Sequence, residues 1–375
     1  MELQRLSHYL FSISFIVIAS IASFTIAAIP WQCAPGQFDL NTLYPDLVRN
    51  HVDHIINNTA IGEGSDGRVY IKAHGPTLQV VKRFFPETSP LRQALQECSI
   101  HAEYWLGHSI SHPSLARSYS LGHVNGKWEM AMEFIPFPLL DLLDYDAWAE
   151  RRWSWEAISC VFLQILDGIT HLHLYGFSHR DIKVENIMVD RDGTVKIIDF
   201  GSASPLRDFL TGRKLLSWEN KVGTPITMPP EAEEEEFYDL EKGDVWALGV
   251  VLVRLWLGVY PWEEAMLQDD AFAEYVKERE KIEDCADDVD SLICSLPRVA
   301  EYVGGMLETT PAKRITMDNI QSSVLTGAKT LIRFKVAAES ATTHSPVGIL
   351  NHSRYEVQWG VNDDVLSYLM DSPIA

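Results

Sequence analysis

The stretch His179-Arg-Asp-Ile-Lys-Val-Glu-Asn186 is followed, thirteen residues further on, by Asp199-Phe-Gly201. Between them, short apolar runs at Ile187–Val189 and Thr194–Ile198 flank the turn pair Asp192-Gly193, which predicts a hairpin. The hairpin therefore has an asparagine before its first strand and an aspartate after its second strand. Amide and carboxylate oxygens are ligands that Mg²⁺ accepts, so this layout predicts a metal site at the two ends of one hairpin.

The loop before the hairpin holds an acid and a cation two residues apart. Asp181 and Lys183 can face the same group from an extended loop at this spacing. Transfer of a phosphoryl group needs a carboxylate that orients the attacking hydroxyl, cations against the phosphates and oxygen ligands for Mg²⁺. Because the two stretches supply all of these groups in order, we expect the chemistry to be phosphoryl transfer.

A glycine-rich segment lies upstream and reads Ile61-Gly-Glu-Gly-Ser-Asp-Gly-Arg-Val69. Glycines let the backbone approach an anionic ligand and offer its N–H groups to phosphate. On its own the segment is equally consistent with a plain glycine-rich hairpin. A dinucleotide-binding fingerprint would open a helix, whereas here Val69-Tyr-Ile71 predicts a strand. A second predicted strand ends at Lys82, fifteen residues after Gly67.

The order of the predicted elements indicates an α+β fold. Strands are predicted at Arg68–Lys72, Leu78–Lys82 and Lys127–Ile135. Helices are predicted at Ser89–His108, Trp155–Tyr175 and Gly243–Gly258. A strand-rich first part followed by a helix-rich second part predicts two lobes instead of alternating β-α-β units.

Taken together, these motifs resemble the eukaryotic protein kinase domain over residues 55–327. The resemblance implies a bilobal α+β fold with a small β-rich N-lobe (55–135) and a larger α-helical C-lobe (136–327). It implies ATP and Mg²⁺ as cofactors. It also implies that Asp181 accepts or orients the hydroxyl proton, that Lys183 contacts the γ-phosphate, and that Asn186 and Asp199 hold Mg²⁺.

The resemblance implies an ATP site that includes the strand leading into the hinge. Met132 would be the gatekeeper beside adenine, and the backbones of Glu133 and Ile135 would hydrogen-bond the base. The implied ATP-binding residues are Ile61, Gly62, Gly64, Gly67, Val69, Val80, Lys82, Glu103, Met132, Glu133, Ile135 and Met188.

Two glutamates on the predicted helix, Glu97 and Glu103, are candidates for the ion pair with Lys82. In this family the paired glutamate lies about ten residues before the proline of a His-Pro turn. Here the turn is His112-Pro113, which favours Glu103 over Glu97.

Downstream motifs resemble the end of a protein kinase activation segment. Gly223-Thr-Pro225 and Pro229-Pro-Glu231 have this form, and the resemblance implies that Arg314 pairs with Glu231 and that Asp244 steadies the catalytic loop. Small-molecule kinases lack this segment, which disfavours that class. Lys183 together with Thr224 resembles Ser/Thr kinases, and the chain is more narrowly similar to the fungal salt-tolerance kinase group.

The chain is strongly acidic, and the acidity is local. Its 31 Lys+Arg against 52 Asp+Glu give a net charge of −21 over 375 residues. Residues 231–290 contribute 20 acidic and five basic residues, which is −15. A bulk surface of this charge argues against nucleic acid as a partner. The run Glu233–Glu236 within this stretch is most simply a solvated face. The alternative is that this run, together with Glu185, favours a basic protein substrate.

Five widely spaced cysteines contain no Cys-x-x-Cys pair. A disulfide framework or a zinc site is therefore not expected, and we expect reduced structural thiols.

The N-terminus contains an apolar segment within residues 1–30. Leu10–Ile29 has no Asp, Glu, Lys or Arg and ends at Pro30. A bilayer core needs about 20 apolar residues as a helix, so the run predicts a single-pass membrane anchor of undetermined orientation. A cleaved signal that leads to a secreted or luminal protein is the alternative. Residues 31–54 are predicted to be a linker and 328–375 a C-terminal tail.

The motifs therefore predict an ATP-dependent Ser/Thr protein kinase. The alternative is a nucleotide-binding pseudokinase or membrane-tethered scaffold without turnover. The complete set of Lys82, Asp181, Asn186 and Asp199 favours the active enzyme. The oligomeric state and the substrate are not determined by the sequence.

Overall fold

A computed structural model describes Leu40, residues 61–148 except 65 and 76, residues 153–279 except 209, 218–221 and 235–236, and residues 300–320. The described residues form two compact units. The first unit contains residues up to His179 together with Val184–Arg213. The second contains Arg180–Lys183 and the residues from Lys214 onward.

The first unit is built on an antiparallel five-stranded sheet with the order β1-β2-β3-β5-β4. Its strands are β1 (Gly62–Glu63), β2 (Gly67–His74), β3 (Thr77–Phe84), β4 (Ser118–Val124) and β5 (Lys127–Glu133). The strands predicted near β2, β3 and β5 are confirmed. β4 was not predicted, because its run Ser-Tyr-Ser-Leu-Gly-His-Val has few β-branched residues and an interior glycine.

Helix α1 (Pro90–Ser109) packs against the sheet of the first unit. Pro90 suits the first turn, where a backbone N–H has no helical partner. Gly107 permits a close approach to β4, since a Cβ there would lie 2.5 Å from Ser118 Oγ. A core of Phe84, Ile100 and Met130 fills the space between helix and sheet.

The remaining elements of the first unit follow the sheet in the chain. They are β6 (Phe137–Pro138), α2 (Leu139–Trp148), α3 (Trp155–Leu174), β7 (Phe177–Ser178), β8 (Ile187–Val189), β9 (Val195–Ile197) and β10 (Ser204–Pro205). β8 and β9 form the predicted hairpin, which β6 extends on the β8 side.

Within the described part of the chain, one helical stretch, Ala157–Leu174 of α3, is long and apolar enough to cross a membrane. Most of that stretch is buried inside the protein, as in the core helix of a soluble domain. Its buried side chains recur at helical spacing at Ile158, Val161, Ile165, Ile169 and Leu172. The predicted anchor at Leu10–Ile29, the linker except Leu40, and the C-terminal tail lie outside the described residues.

The second unit consists mainly of helices around one buried helix. Its elements are β11 (Leu216–Ser217), α4 (Glu231–Glu234), β12 (Tyr238–Asp239), α5 (Leu240–Leu257), α6 (Asp270–Arg279) and α7 (Ala300–Met306). α5 is capped by Asp239, whose carboxylate accepts from the N–H groups of Glu241 and Lys242. It ends at Gly258, which has the left-handed φ of 76° that favours glycine at this position.

A buried ion pair in the second unit joins Arg314, which follows α7, to Glu231 at the start of α4. Arg314 is 1% exposed and donates to both carboxylate oxygens of Glu231, at 2.5 and 2.8 Å. Its Nη1 also donates to the carbonyl of Lys242 at 2.9 Å, and its guanidinium lies over the Trp246 ring. The pairing that the family resemblance implied is therefore present. A charge buried this deeply is tolerated because every side of it has a polar or aromatic partner.

The structure confirms the α+β fold, with a β-rich N-terminal region and a helical C-terminal region. The expectation of reduced thiols is wrong at Cys160, which is disulfide-bonded, whereas Cys98 is a free thiol. Cysteine pairing depends on tertiary proximity, and the spacing of the residues along the chain does not reveal it.

Candidate active site

The glycine-rich segment forms the β1–β2 turn of the first unit. Gly62 lies on β1 and Gly67 on β2, and the N–H of Gly64 donates to the carbonyl of Gly67 at 2.9 Å. A Cβ at Gly67 would lie 2.3 Å from the Arg83 carbonyl oxygen, so this glycine is needed for β2 and β3 to pair. A Cβ at Gly64 would meet nothing within 4 Å. Packing thus explains Gly67, and a role for Gly64 in phosphate binding stays a prediction.

Lys82 contacts two of the predicted carboxylates. Its Nζ lies 2.8 Å from Glu103 Oε1 and 3.6 Å from Asp199 Oδ1. The Glu103 side chain is 4% exposed, whereas that of Asp199 is 43% exposed and open to a ligand. Glu97 instead accepts a hydrogen bond from Gln93 on the exposed side of α1. The structure therefore selects Glu103 as the partner of Lys82.

Lys82, Glu103 and Asp199 form a charged trio. Burial and electrostatic attraction have opposite effects on the pKa values of Lys82 and Glu103. Burial raises the pKa of Glu103 to about 6, because the loss of water outweighs the attraction of Lys82. For Lys82, burial disfavours the charged form, but the Glu103 and Asp199 carboxylates outweigh it and raise the pKa of Lys82. At neutral pH both members of the pair are therefore mainly ionised, and the ammonium keeps a fixed position.

The two predicted metal ligands lie at the ends of the β8–β9 hairpin. Asn186 ends a short 3₁₀ turn, and its carbonyl accepts from the N–H of Ile198, the residue before Asp199, at 3.0 Å. Asp199 has a left-handed φ of 64°, and its carboxylate accepts from the N–H of Gly201. Phe200 is buried against His179, which fixes this turn.

The donor set of this hairpin suits Mg²⁺. It offers one amide and one carboxylate, both hard oxygen ligands of the kind that Mg²⁺ prefers. Among the described residues there is no cluster of three His, Cys, Asp or Glu side chains that could hold a metal ion by itself. Two protein ligands fit an ion that takes its remaining ligands from phosphate and water.

The predicted adenine residues occupy adjoining strands of the first unit. Met132 on β5 pairs with Val80 on β3, and Val69 on β2 pairs with Lys82. Met188 lies on β8, while Ile135 follows β5 and is buried. Adenine binding by these residues stays a prediction.

The second unit holds a three-residue hydrogen-bonded group. Lys183 Nζ lies 2.9 Å from Asp181 Oδ2 and donates to Thr224 Oγ1 at 2.6 Å. The Thr224 hydroxyl donates in turn to Asp181 Oδ1 at 2.7 Å. The orientation of the Asp181 carboxylate is therefore fixed by Lys183 and Thr224. Thr224 is not among the predicted site residues, although its motif Gly223-Thr-Pro225 resembles the end of an activation segment.

The backbone before Asp181 is held in an unusual conformation. Arg180 has a φ of 68°, which is uncommon for a residue with a Cβ, and its N–H donates to the buried carboxylate of Asp244 at 2.9 Å. Gly223 approaches the carbonyl of Arg180 so closely that a Cβ would lie 2.4 Å away, and its own φ is 113°. Asp244 and Gly223 thus hold the loop that bears Asp181, as the resemblance implied for Asp244.

The charge state of Glu103 predicts how stability depends on pH. Its pKa of about 6 in the folded protein exceeds its ordinary value of 4.5, so the folded state holds the extra proton between these values. Relative to a Glu103→Gln variant, the wild type should therefore lose about 2 kcal/mol of unfolding free energy as the pH rises through that window. Equilibrium urea unfolding at several pH values checks this. A difference that increases with pH would show that the attraction of Lys82 dominates instead.

Residues 55–325 match the family model described as a protein kinase domain. Among similar curated proteins, the probable serine/threonine-protein kinase RTK1 of Saccharomyces cerevisiae is 24% identical over 69% of this chain and 42% of its own length. The kinase ppk8 of Schizosaccharomyces pombe is 30% identical over 59% of this chain and 42% of its own length. The kinase chk1 of the same yeast is 35% identical over 42% of this chain and 30% of its own length.

The chain spans less than half the length of these relatives. The family match nevertheless includes every predicted site residue, from Ile61 to Asp199, and the Glu231–Arg314 pair. The chain therefore belongs to the eukaryotic protein kinase family, with a domain of the Ser/Thr type.

Proposed function

We propose that this chain is an ATP- and Mg²⁺-dependent Ser/Thr protein kinase. The observation that carries this function is the hydrogen-bonded group of Asp181, Lys183 and Thr224, present together with the trio of Lys82, Glu103 and Asp199. The trio belongs to the first unit and supplies a fixed ammonium for the phosphates. The Thr224 group belongs to the second unit and supplies the base.

In the proposed reaction, Asp181 orients the substrate hydroxyl and accepts its proton. Both of its carboxylate oxygens accept hydrogen bonds within this group, from Lys183 at Oδ2 and from Thr224 at Oδ1. Lys183 stabilises negative charge on the transferring phosphoryl group, and Lys82 fixes the α- and β-phosphates. Asn186 and Asp199 would hold Mg²⁺, which would supply positive charge to neutralise the phosphates.

The Thr224 hydroxyl helps to fix the position of Asp181, the proposed base. Its hydroxyl accepts from Lys183 and donates to Asp181, so it needs both functions of a hydroxyl group. A residue without a hydroxyl would leave the ammonium and the carboxylate in contact but without this third support. The described residues offer no observation that favours the alternative of a nucleotide-binding scaffold without turnover.

Replacement of Asp199 tests the proposed activity. Asp199→Asn keeps an oxygen that can accept from Gly201 but removes the charge that binds the metal. Transfer of phosphate from ATP to a peptide should fall by at least about 100-fold. The matched control is Asp192→Asn, which removes an exposed carboxylate from the β8–β9 turn. Wild-type rates in the Asp199 variant would exclude the proposed mechanism, provided that thermal unfolding shows both variants to be folded.

The same assay tests the substrate class. We propose a preference for basic protein substrates, because residues 231–290 carry a charge of −15 and Glu263, Glu264 and Asp270 are exposed. Peptides with arginines near the acceptor Ser or Thr should be better substrates than peptides with glutamates there. Their kcat/KM should fall as the salt concentration rises. Equal rates for both peptide sets would contradict this preference.

We also propose that Leu10–Ile29 anchors the chain in a membrane as a single-pass segment. This proposal rests on length and composition alone. Expression of the full chain in eukaryotic cells should place the kinase in the carbonate-resistant membrane fraction. Endoglycosidase treatment then shows on which side the domain lies, because Asn57 and Asn351 fit the glycosylation pattern. Recovery in the soluble fraction after carbonate treatment would contradict the anchor.

A further inference from the structure

An ion pair joins the end of β5 to the β8–β9 hairpin within the first unit. Lys196 Nζ lies 2.8 Å from Glu133 Oε1 and 3.1 Å from Glu133 Oε2. The side chains are 13% and 21% exposed, respectively, so water screens the pair only partly. We name this pair the Glu133–Lys196 clasp.

The backbone of Arg117 completes the surroundings of Glu133. The N–H of Arg117 donates to Glu133 Oε2 at 3.0 Å, and the N–H of Glu133 donates to the carbonyl of Arg117 at 2.8 Å. The preceding loop is fixed to β9, since the N–H of Ala116 donates to the carbonyl of Ile197 at 2.9 Å. Side chain and backbone of Glu133 are therefore both restrained, which fixes the peptide plane at this residue.

The clasp connects two parts of the predicted nucleotide site. Glu133 follows the predicted gatekeeper Met132, and its backbone is predicted to bind adenine. Lys196 lies opposite Met188 in the β8–β9 register and three residues before Asp199. One ion pair therefore joins the strand that leads into the predicted hinge to the hairpin that carries the predicted ATP-binding residue Met188.

The charged side chains near Lys196 are mainly acidic and include Asp190, Asp192 and Glu133. Burial raises the pKa of Asp190, and the nearby carboxylates of Asp192 and Glu133 add to this, whereas Lys196 opposes it. Loss of the Lys196 charge would leave carboxylates that repel each other. Loss of the Glu133 charge would leave Lys196 beside Asp190. The two substitutions should therefore differ in their effect.

We propose that Glu133 and Lys196 are positioning residues for the nucleotide. The clasp holds the adenine-binding peptide of Glu133 at a fixed spacing from Met188, so the base enters a site that needs no rearrangement. This inference rests on the proposed kinase function. Neither side chain is assigned a contact with the transferring phosphoryl group, so the clasp governs nucleotide affinity and leaves the chemical step unchanged.

Kinetics of single variants test the clasp. Lys196→Met should raise the KM for ATP by about fivefold to tenfold while kcat stays within about twofold. Glu133→Gln should raise the KM for ATP less, because it does not leave carboxylates in mutual repulsion. Lys196→Arg keeps the cation and should restore a KM close to that of the wild type.

The matched control is Glu129→Gln, which breaks an ion pair of Glu129 with Arg83 across the neighbouring strands β3 and β5. This control should leave the KM for ATP unchanged. An unchanged KM for ATP in Lys196→Met would overturn the proposal that the clasp positions the nucleotide. Equal increases of this KM in Lys196→Met and Glu129→Gln would also overturn it. Affinity for an Mg²⁺-bound, non-hydrolysable ATP analogue is measured on the same variants. If the wild type binds this analogue but transfers no phosphate, the proposed kinase function is wrong. The affinities of the wild type, Lys196→Met, Glu133→Gln and Glu129→Gln for the analogue still show whether the clasp positions the nucleotide.

Discussion

The ion pair of Lys82 and Glu103 is the constraint on which the first unit depends. It joins β3 to α1 through two side chains that are almost fully removed from water, at 12% and 4% exposure. A pair of this kind contributes only if both charges keep their partners, because an unpaired buried charge costs several kcal/mol. The pair therefore holds α1 against β3 together with the core of Phe84, Ile100 and Met130. Phe200 lies next to Asp199 in a turn that contacts α1, so the open carboxylate of Asp199 is positioned by the same arrangement.

Each of the two functional aspartates is held through a strained or closely packed backbone. Asp199 itself has a positive φ, while Asp181 follows Arg180, which has one. Such conformations persist only where the surrounding structure fixes them. In the second unit the fixing groups are the Asp244 carboxylate and the close approach of Gly223. In the first unit they are the N–H of Gly201 and the burial of Phe200.

Much of this arrangement could be predicted from the sequence, because the chemistry requires particular residue types at short spacings. The hairpin, the strand that carries Lys82 and the long helices follow from local patterns, whereas the choice of Glu103 follows from the family resemblance. The contacts that depend on tertiary proximity could not be predicted. The edge strand β4 has a weak strand pattern, Thr224 reaches Asp181 across 43 residues, and Glu133 reaches Lys196 across 63. The disulfide state of Cys160 was missed for the same reason.

The proposed function depends first on the binding of nucleotide, together with Mg²⁺, by the residues around Lys82. Calorimetric titration of the full chain with a non-hydrolysable ATP analogue tests it most directly, with Mg²⁺ present and after its removal by a chelator. We expect saturable binding that weakens at least about tenfold without Mg²⁺ or with Lys82→Met, because each change removes charge that balances the phosphates. Equal affinity with and without Mg²⁺, and in the wild type and Lys82→Met, would contradict it.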